Sequence, residues 1–234
     1  MSEYHEVEVL GSEALCGDIV SVRFKRPQGF EFAAGQWMVV RLPAEEGTLA
    51  ETFTISSAPG DDYLEMTTRA SGSAFKRGLL SLKPRDAVGI TGPGGRLILP
   101  KGLRKVAFLM GGVGITPGRS MLRDAGQAGH RFEDAVLFYG RRDASCVPFQ
   151  DEFMRLGDNG VRIVPCYERP PTGWEGETGF ITAETVRRHL DPLADERPFV
   201  VAGPPLMVQS MLEVLDDLGV PVSRRMIERF GARV

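Results

Sequence analysis

The chain has 234 residues, of which 42% are hydrophobic and 25% charged, and its formal net charge is −3. This composition excludes a disordered or fibrous protein and fits one large or two modest globular domains. The small, interspersed charge offers no basic surface for nucleic acid, so we expect a small-molecule or protein partner and no nucleic acid.

Short apolar runs separated by Pro and Gly fill the first part of the chain, up to about residue 100. The runs are HEVEVL, DIVSVRF, QWMVVRLP, TFTISSAP, YLEMTTRA, AVGITGP and RLILP. Several short strands at such spacing predict an antiparallel β-barrel or sandwich. One interruption, GSAFKRGLLSLKP, lacks strand alternation and predicts a short helix ended by Pro84.

After PKGLRK, apolar runs alternate with helical segments. The runs VAFLMGGVGITP, DAVLFYGRR, RIVPCYE and PFVVAGPP are followed by the helical segments GRSMLRDAGQAG, VPFQDEFMRL, TAETVRRHL and LMVQSMLEVLDDLG. This alternation predicts a parallel sheet covered on both faces, with ligands beyond the carboxyl ends of its strands. We therefore predict a β domain over residues 1–102 and an α/β nucleotide-binding domain over residues 103–234.

Two glycine-rich turns follow strands of the second half. Gly111, Gly112 and Gly114 stand between an apolar strand and a helix, where backbone approaches a phosphate closely and the helix N-terminus stabilises its charge. Pro117 occupies the last glycine position of the G-x-G-x-x-G fingerprint, so this sequence does not match the standard dinucleotide-binding motif. The alternative explanation of the glycines is tight packing between the strand and the helix. Gly203 in VVAGPP likewise ends an apolar strand just before a helix. We therefore expect the two glycine turns to form the floor of an open ligand site at the carboxyl edge of the sheet.

Cysteine usage and hydropathy suggest the compartment. Cys16, Cys146 and Cys166 are far apart and odd in number, which speaks against a disulfide framework and against a CxxC-type metal site. We expect no metal and a reducing cytoplasm. The N-terminus MSEYHEVEVL has no apolar h-region, and no later run approaches the roughly 20 residues of a membrane span, so no span is expected.

Nine motifs in this order resemble the ferredoxin–NADP reductase family. They are AGQW, FTISSAP, SAFKRGLLSLKPRD, GPGGRLILP, GGVGITP, LFYGRR, GWEGETGFI, AGPPLMV and IERF, which cover nearly the whole chain. The resemblance implies a flavin-binding, Greek-key-like antiparallel β-barrel followed by an NAD(P)-binding parallel-sheet domain. It also implies FAD, in preference to FMN, as the cofactor, and NADH or NADPH as the second ligand.

The family's flavin motif is Arg-x-Tyr/Phe-Ser/Thr. By resemblance, Phe53 packs on the flavin and Thr54 hydrogen-bonds near its reactive N5, which makes these two the expected catalytic residues. Glu51 stands where the family has arginine, and a carboxylate there repels phosphate. Either other cations hold the phosphate, the flavin binds weakly and exchanges, or flavin binding has been lost. The further flavin contacts that the resemblance implies are Ile55, Ser56, Thr67, Arg69, Ser73, Phe75 and Lys76.

The same resemblance assigns the GGVGITP turn to the pyrophosphate of the dinucleotide. Arg141 or Arg142 either pairs with a 2′-phosphate or faces an unmodified ribose or solvent. Ala202 stands where relatives often have cysteine, and Glu228 belongs to the C-terminal Glu-x-Phe. The implied dinucleotide-site residues are Gly111, Gly112, Gly114, Thr116, Pro117, Arg141, Arg142, Gly203, Pro204, Pro205 and Phe230.

The implied function is an NAD(P)H-dependent flavoprotein reductase that exchanges electrons, via FAD, with a separate iron–sulfur carrier such as ferredoxin. No cysteine cluster follows IERF, so electrons are expected to leave through another molecule. Two alternatives stay open. A diffusible-flavin reductase would explain the missing arginine, and a non-catalytic electron-transfer subunit of a larger complex would use the same fold.

Overall fold

A computed structural model of the chain describes residues 4–43, 47–70, 72–155 and 159–231. Two six-stranded sheets follow one another. The first contains β1 (Tyr4–Cys16), β2 (Ile19–Lys25), β3 (Trp37–Pro43), β4 (Thr48–Thr54), β5 (Tyr63–Arg69) and β6 (Ala87–Gly94). The second contains β7 (Lys105–Gly111), β8 (Asp134–Asp143), β9 (Val161–Arg169), β10 (Glu177–Thr178), β11 (Phe199–Gly203) and β12 (Arg225–Arg229). The helices are α1 (Ala74–Ser81), α2 (Ile115–Gln127), α3 (Gln150–Arg155), α4 (Ala183–His189) and α5 (Pro205–Asp217).

The first sheet is antiparallel, in the order β4-β3-β6-β1-β2-β5. Side chains point alternately into the core and away from it along these strands: on β3, Met38, Val40 and Leu42 are buried, while their neighbours are not. The two outer strands approach each other, and the Ser56 N–H just after β4 donates to the Glu65 carbonyl of β5 over 2.7 Å. The predicted barrel-like architecture of the first domain is confirmed.

The second sheet is parallel, in the order β10-β9-β8-β7-β11-β12. Its central strands are buried on both faces, which explains their continuous apolar sequence. On β7, Phe108 and Met110 belong to one core cluster while Ala107 and Leu109 belong to the cluster on the opposite face. The predicted α/β architecture is therefore confirmed, whereas the exact boundary between residues 102 and 103 stays a prediction.

The local predictions differ in outcome. The predicted short helix forms as α1, capped by Ser73, and ends before Pro84. The predicted strand RLILP is wrong, because no strand within the described residues pairs with this irregular segment, and its Leu97 packs into a core of the second domain. Strands β10 and β12 were not predicted, since neither has the length or alternation of a recognisable strand. Part of the predicted helix VPFQDEFMRL, from residue 156, lies outside the described residues.

The cysteines correct another expectation. Cys16 at the end of β1 and Cys146 in the loop after β8 form a disulfide between the two domains, across 130 residues of sequence. Spacing along the chain therefore misled the prediction, because domain packing brings these two distant segments together. In the part of the chain that the structure describes, no helix combines the length and apolar character that crossing a bilayer requires.

Candidate active site

The end of β4 meets the C-terminal strand β12. Thr54 is buried, and its Oγ1 donates a hydrogen bond to Oε2 of Glu228 over 3.1 Å. Phe53 points to the other face of β4, where its half-buried ring lies 5.5 Å from the ring of Phe75 on α1. The two residues predicted to be catalytic thus lie side by side, and one of them contacts the second domain.

Glu228 reaches this position because β12 pairs with β11. The register places Glu228 beside Ala202, and the N–H of Phe230 donates to the Gly203 carbonyl over 3.0 Å. Burial raises the pKa of the Glu228 carboxyl to about 7, and the hydrogen bond from Thr54 offsets part of that rise. A carboxyl group with this pKa can hold or release a proton near neutral pH.

The raised pKa of Glu228 predicts a pH-dependent contribution to stability. The folded protein binds this proton more tightly than the unfolded chain, whose carboxyl has an ordinary pKa of 4.5. The stabilisation is therefore fully present below pH 4.5 and disappears as the pH rises through about 7, for a loss of up to about 3 kcal/mol. We expect the free energy of unfolding in urea to fall more between pH 5 and pH 8 in the wild type than in Glu228→Gln. Equal falls in the two proteins would contradict this assignment.

A buried ion-pair network joins the two domains. Glu65 on β5 is completely buried; its Oε1 lies 2.5 Å from Nη1 of Arg119 on α2, and its Oε2 lies 2.8 Å from Nε of Arg23. Arg119 also donates to the Ser56 carbonyl over 2.8 Å and pairs with Glu152 over 2.8 Å. Buried charges persist when they are paired and hydrogen-bonded. We infer that this network fixes how α2 docks on the first domain.

The sequence analysis missed this network, which surrounds three predicted flavin contacts. The hydroxyl of Ser56 donates to Glu65 over 3.0 Å and lies 3.1 Å from that of Thr67, which in turn lies 2.7 Å from the Ser21 hydroxyl. Ile55 is fully buried in the core of the first domain. These side chains have partners inside the protein, and their roles as flavin contacts stay predictions.

The carboxylate of Glu51, on β4, lies at the start of α1. Ser73 caps the helix, since its Oγ accepts from the N–H of Lys76 over 3.2 Å, and the same hydroxyl donates to Oε1 of Glu51 over 3.4 Å. Glu51 thus lies at the positive end of the helix dipole, a position that stabilises an anion. The predicted phosphate position is therefore next to a negative charge of the chain itself, with Lys76 and Arg77 in the first turn as nearby cations.

Arg69 lies away from α1. At the end of β5, it forms an ion pair with Asp18, with Nη1 lying 2.9 Å and 3.2 Å from the two carboxylate oxygens. Its Nη2 is 3.5 Å from the point that a Cβ on Gly112 would occupy. The structure therefore places Arg69 beside the glycine turn of the second domain, and not with Ser73 and Lys76.

The first glycine turn brings two chain segments unusually close. Gly112 has a φ of +54°, a left-handed conformation that favours glycine. A Cβ on Gly114 would lie 2.4 Å from the carbonyl oxygen of Ala202, so a side chain there would push the two turns apart. The predicted neighbours Thr116 and Pro117 are buried in the first turn of α2. The helix α2 therefore begins at the floor that the sequence predicted, and the N–H of its first residue, Ile115, donates to the carbonyls of Gly112 and Val113.

The second turn forms the opposite side of that floor. β11 ends at Gly203, Pro204 caps α5 and Pro205 is its first residue. Because β7 and β11 are hydrogen-bonded neighbours in parallel register, both turns lie at the same sheet edge. The side chain of Met207 packs over this edge, 2.4 Å from the position of a Cβ on Gly111. The structure thus brings the two predicted turns together.

A cleft of about 490 Å³ opens at this edge. Its walls come from the glycine turns, the ends of β8 and β9 and the start of α5, and Arg69 contributes from the first domain. Phe180 and Leu206 line it with apolar side chains that are 71% and 81% exposed. Two large exposed apolar side chains beside arginines suit a ligand with both aromatic and anionic parts.

Arg141 brings a positive charge to the cleft. Its guanidinium stacks 4.0 Å from the ring centroid of Tyr139 and 5.8 Å from that of Tyr167. Within the described residues, its buried Nε and Nη1 have no hydrogen-bond partner, and burial lowers its pKa. A buried guanidinium without a counter-ion is costly, so the site fits an anionic ligand such as a dinucleotide. Arg142 lines the same cleft.

Comparison with known proteins supports both halves of the chain. A family model described as FAD-binding domain matches residues 4–84, and one described as oxidoreductase NAD-binding domain matches residues 108–213. The ferredoxin–NADP reductase B of Sorangium cellulosum is 30% identical over 241 residues, covering 98% of this chain and 98% of that protein. NADH-cytochrome b5 reductase 1 of Aspergillus terreus is 30% identical over 180 residues, or 73% of this chain. The chain spans 60% of that protein and 61% of the propane 2-monooxygenase reductase component of Rhodococcus jostii, to which it is 29% identical.

Solved structures show the same fold. A ferredoxin NADP⁺ reductase from Neisseria gonorrhoeae, with bound FAD and NADP, has a TM-score of 0.85 at 20% identity and covers 98% of this chain and 99% of its own. The cytochrome b5 reductase domain of Ulva prolifera nitrate reductase has a TM-score of 0.83 at 19% identity, with 97% of each chain covered. At these identities the likeness concerns the fold alone.

These matches define an oxidoreductase in which an FAD-binding domain precedes an NAD-binding domain. The chain belongs to the ferredoxin–NADP reductase family of flavin-dependent oxidoreductases. The predicted FAD-binding and NAD-binding character of the two domains is therefore confirmed. The roles of the individual site residues stay predictions.

Proposed function

We propose that this protein passes electrons between NADPH and, via FAD, a separate iron–sulfur protein such as ferredoxin, in the cytoplasm. The contact between Thr54 and Glu228 carries the proposal, because it sets the end of the flavin-binding sheet against the carboxyl edge of the dinucleotide-binding sheet. Aligning two redox groups across such a contact is the main contribution of a protein to hydride transfer. The iron–sulfur acceptor is supported by the end-to-end match to the Sorangium cellulosum ferredoxin–NADP reductase B.

The side chains divide the work between binding and proton handling. FAD, when bound, supplies hydride chemistry with the dinucleotide and the exchange of single electrons with the carrier. The half-buried ring of Phe53, packed on the buried ring of Phe75, provides the surface against which an aromatic ligand packs. Thr54 holds Glu228 by a hydrogen bond, and Glu228 keeps or releases a proton at its carboxyl group. The amides that follow Gly111 receive the pyrophosphate.

NADPH is favoured over NADH by the end of β8. In dinucleotide-binding sheets, a carboxylate near this point binds the ribose of NAD, whereas an arginine accommodates the 2′-phosphate of NADP. This chain has Arg141 and Arg142 there, and two nitrogens of Arg141 lack a partner within the described residues. The carboxylate that lines the cleft, Glu168, belongs to the next strand, β9.

Three acceptors test the function of the purified protein. We expect the protein to show a flavin spectrum and to release FAD on denaturation. We also expect NADPH oxidation to accelerate when a [2Fe–2S] ferredoxin is added, with the reduction of cytochrome c by that ferredoxin as the measured signal. Cytochrome b5 and free FAD serve as competing acceptors in the same assay. A protein that neither contains nor binds a flavin would contradict the proposal, and so would a clear preference for cytochrome b5.

A second candidate function, the reduction of diffusible flavin, is favoured by one observation. The Glu51 carboxylate accepts a hydrogen bond from Ser73 at the start of α1, the position at which the resemblance expects a flavin phosphate. A fixed negative charge there weakens the binding of a phosphate and favours a flavin that exchanges. Colourless protein that oxidises NADPH only when flavin is added would support this candidate over a ferredoxin reductase.

Glu51→Arg is expected to tighten FAD binding to the apoprotein by about 10-fold, equivalent to about 1.4 kcal/mol. The substitution removes a repulsive carboxylate and supplies a guanidinium that pairs with phosphate. Titration of the apoprotein with FAD, followed by flavin fluorescence, measures the dissociation constant. Glu51→Gln is the matched control and should give a smaller gain, because it removes the charge without adding a cation. Unchanged affinity in both variants would place the phosphate elsewhere.

A further inference from the structure

We propose that Cys16 and Cys146 form a redox-controlled clasp that sets the affinity of the dinucleotide cleft. The two residues belong to different domains, and their Cα atoms lie 5.1 Å apart in the disulfide. The bond adds a second covalent connection between the FAD-binding and NAD-binding domains, besides the chain that links them. The inference rests on the proposed binding of NADPH in the cleft.

On the side of the first domain, the clasp holds the tight turn between β1 and β2. Gly17 follows Cys16 in a left-handed conformation, with φ +54°, and a Cβ there would lie 3.6 Å from the Cys146 sulfur. The next residue, Asp18, forms the ion pair with Arg69, which lines the cleft. The N–H of Ala70 also donates to the Asp18 carbonyl over 2.6 Å, so a backbone hydrogen bond as well as the exposed ion pair joins this turn to the end of β5 that carries Arg69.

On the side of the second domain, the clasp holds the loop that leaves β8. Arg141 and Arg142 line the cleft near the end of that strand, and Cys146 follows four residues after Arg142. Between them, Asp143 accepts a hydrogen bond from the N–H of Ser145 over 3.0 Å, which makes this connection short and locally ordered. The disulfide thus anchors the loop that follows Arg141 and Arg142 and the turn whose Asp18 pairs with Arg69.

The chemistry needs only a dithiol and its disulfide form. Cys16 and Cys146 are both half-buried, so a thiolate can reach the bond, whereas the third cysteine, Cys166, is fully buried. Attack by one thiolate of an external dithiol forms a mixed disulfide and releases one cysteine. The second thiol of the reagent then attacks the mixed disulfide, which frees the other cysteine and leaves the reagent oxidised. In a reducing compartment such a bond is expected to be transient and regulatory.

The oxidised form binds the dinucleotide more tightly. With the bond closed, the β1–β2 turn and the loop after β8 are ordered before the ligand arrives. With the bond open, binding must also order these segments, and each immobilised side chain reduces affinity. We expect reduction to raise the dissociation constant for NADP⁺ by about 3- to 10-fold, without changing how the flavin is held.

The first test establishes the bond itself. Protein purified without reductant is alkylated, digested and analysed by mass spectrometry. A peptide pair linked through Cys16 and Cys146 that disappears after treatment with dithiothreitol supports the clasp. Alkylation of Cys16 and Cys146 before any reduction would overturn it. This result does not depend on what the cleft binds.

The second test uses calorimetry to measure how tightly NADP⁺ binds to two forms of the holoprotein. One form is oxidised, and the other has been reduced with dithiothreitol and desalted without oxygen. Cys16→Ser/Cys146→Ser should show the weaker affinity in both conditions, and Cys166→Ala should keep the response. An unchanged or tighter affinity on reduction, or a response that survives in the double variant, would overturn the clasp. If no form bound NADP⁺, the proposed dinucleotide function would fail as well, whereas tight binding that ignores the redox state would reject the clasp alone.

Discussion

Arg119→Met is expected to lower the free energy of unfolding by about 3–5 kcal/mol. The variant keeps much of the side-chain volume but removes one of the two cations that pair with the fully buried Glu65 carboxylate. The Ser56 carbonyl loses its charged donor at the same time. An incompletely paired buried charge costs more than the network contributes when intact. Urea unfolding of the wild type and the variant at pH 7 measures the difference.

Arg104→Ala is the matched control for this experiment. Arg104 also pairs with a glutamate, Glu133, but its side chain is 72% exposed. Solvent screens such a pair, so the control should change stability by less than about 0.5–1 kcal/mol. Similar losses in the two variants would contradict the role that we assign to burial. So would a loss of less than about 1 kcal/mol for Arg119→Met.

Arg141→Ala is expected to raise the KM for NADPH by about 10- to 100-fold and the KM for NADH by less than about 3-fold. A charged hydrogen bond to phosphate is worth about 1.5–3 kcal/mol, and NADH lacks the phosphate that Arg141 is proposed to hold. The Nε and Nη1 of this arginine are buried and have no hydrogen-bond partner among the residues that the structure describes, which makes it the stronger candidate of the pair at the end of β8. Steady-state assays with both dinucleotides and one acceptor give the ratio of kcat/KM values.

Arg169→Ala provides the control for that assay. Arg169 is exposed at the end of β9, in register with Asp143 of β8, and its loss removes the same formal charge from the same sheet edge. It should change either KM by less than about 2-fold, since exposed charges are screened. If Arg141→Ala weakened NADPH and NADH equally, the preference for NADPH would be wrong. The arginine would then act through its stacking on Tyr139.

Local sequence signals were sufficient for much of the fold. Alternating residues in β3, a continuous apolar run in β7 and a serine cap before α1 each express the period or the end condition of one element. The two glycine turns were predicted to share one sheet edge because parallel strands end on the same side, and β7 and β11 do pair. The flavin motif and the order of the other motifs then pointed to the family.

Local signals failed where an element depends on its surroundings. RLILP has the composition of a strand, yet no strand in the described part of the chain pairs with it, and its Leu97 packs into a core. β12 is short and half-exposed, and only its parallel pairing with β11 makes it a strand. Arg69 was predicted as a flavin contact from the resemblance, and that role stays a prediction; its ion pair with Asp18 and its place at the dinucleotide cleft follow only from the tertiary structure.

The chain therefore encodes its individual strands, helices and glycine turns locally, because each depends on neighbours a few residues apart, and the order of these elements and motifs indicates the two architectures and the family. The contacts that join the domains are of another kind. Arg119 and Glu65 are 54 residues apart, Thr54 and Glu228 are 174 apart, and the two bonded cysteines are 130 apart. No period or spacing along the chain relates such residues, since their distance in space is set only when the two sheets dock on each other.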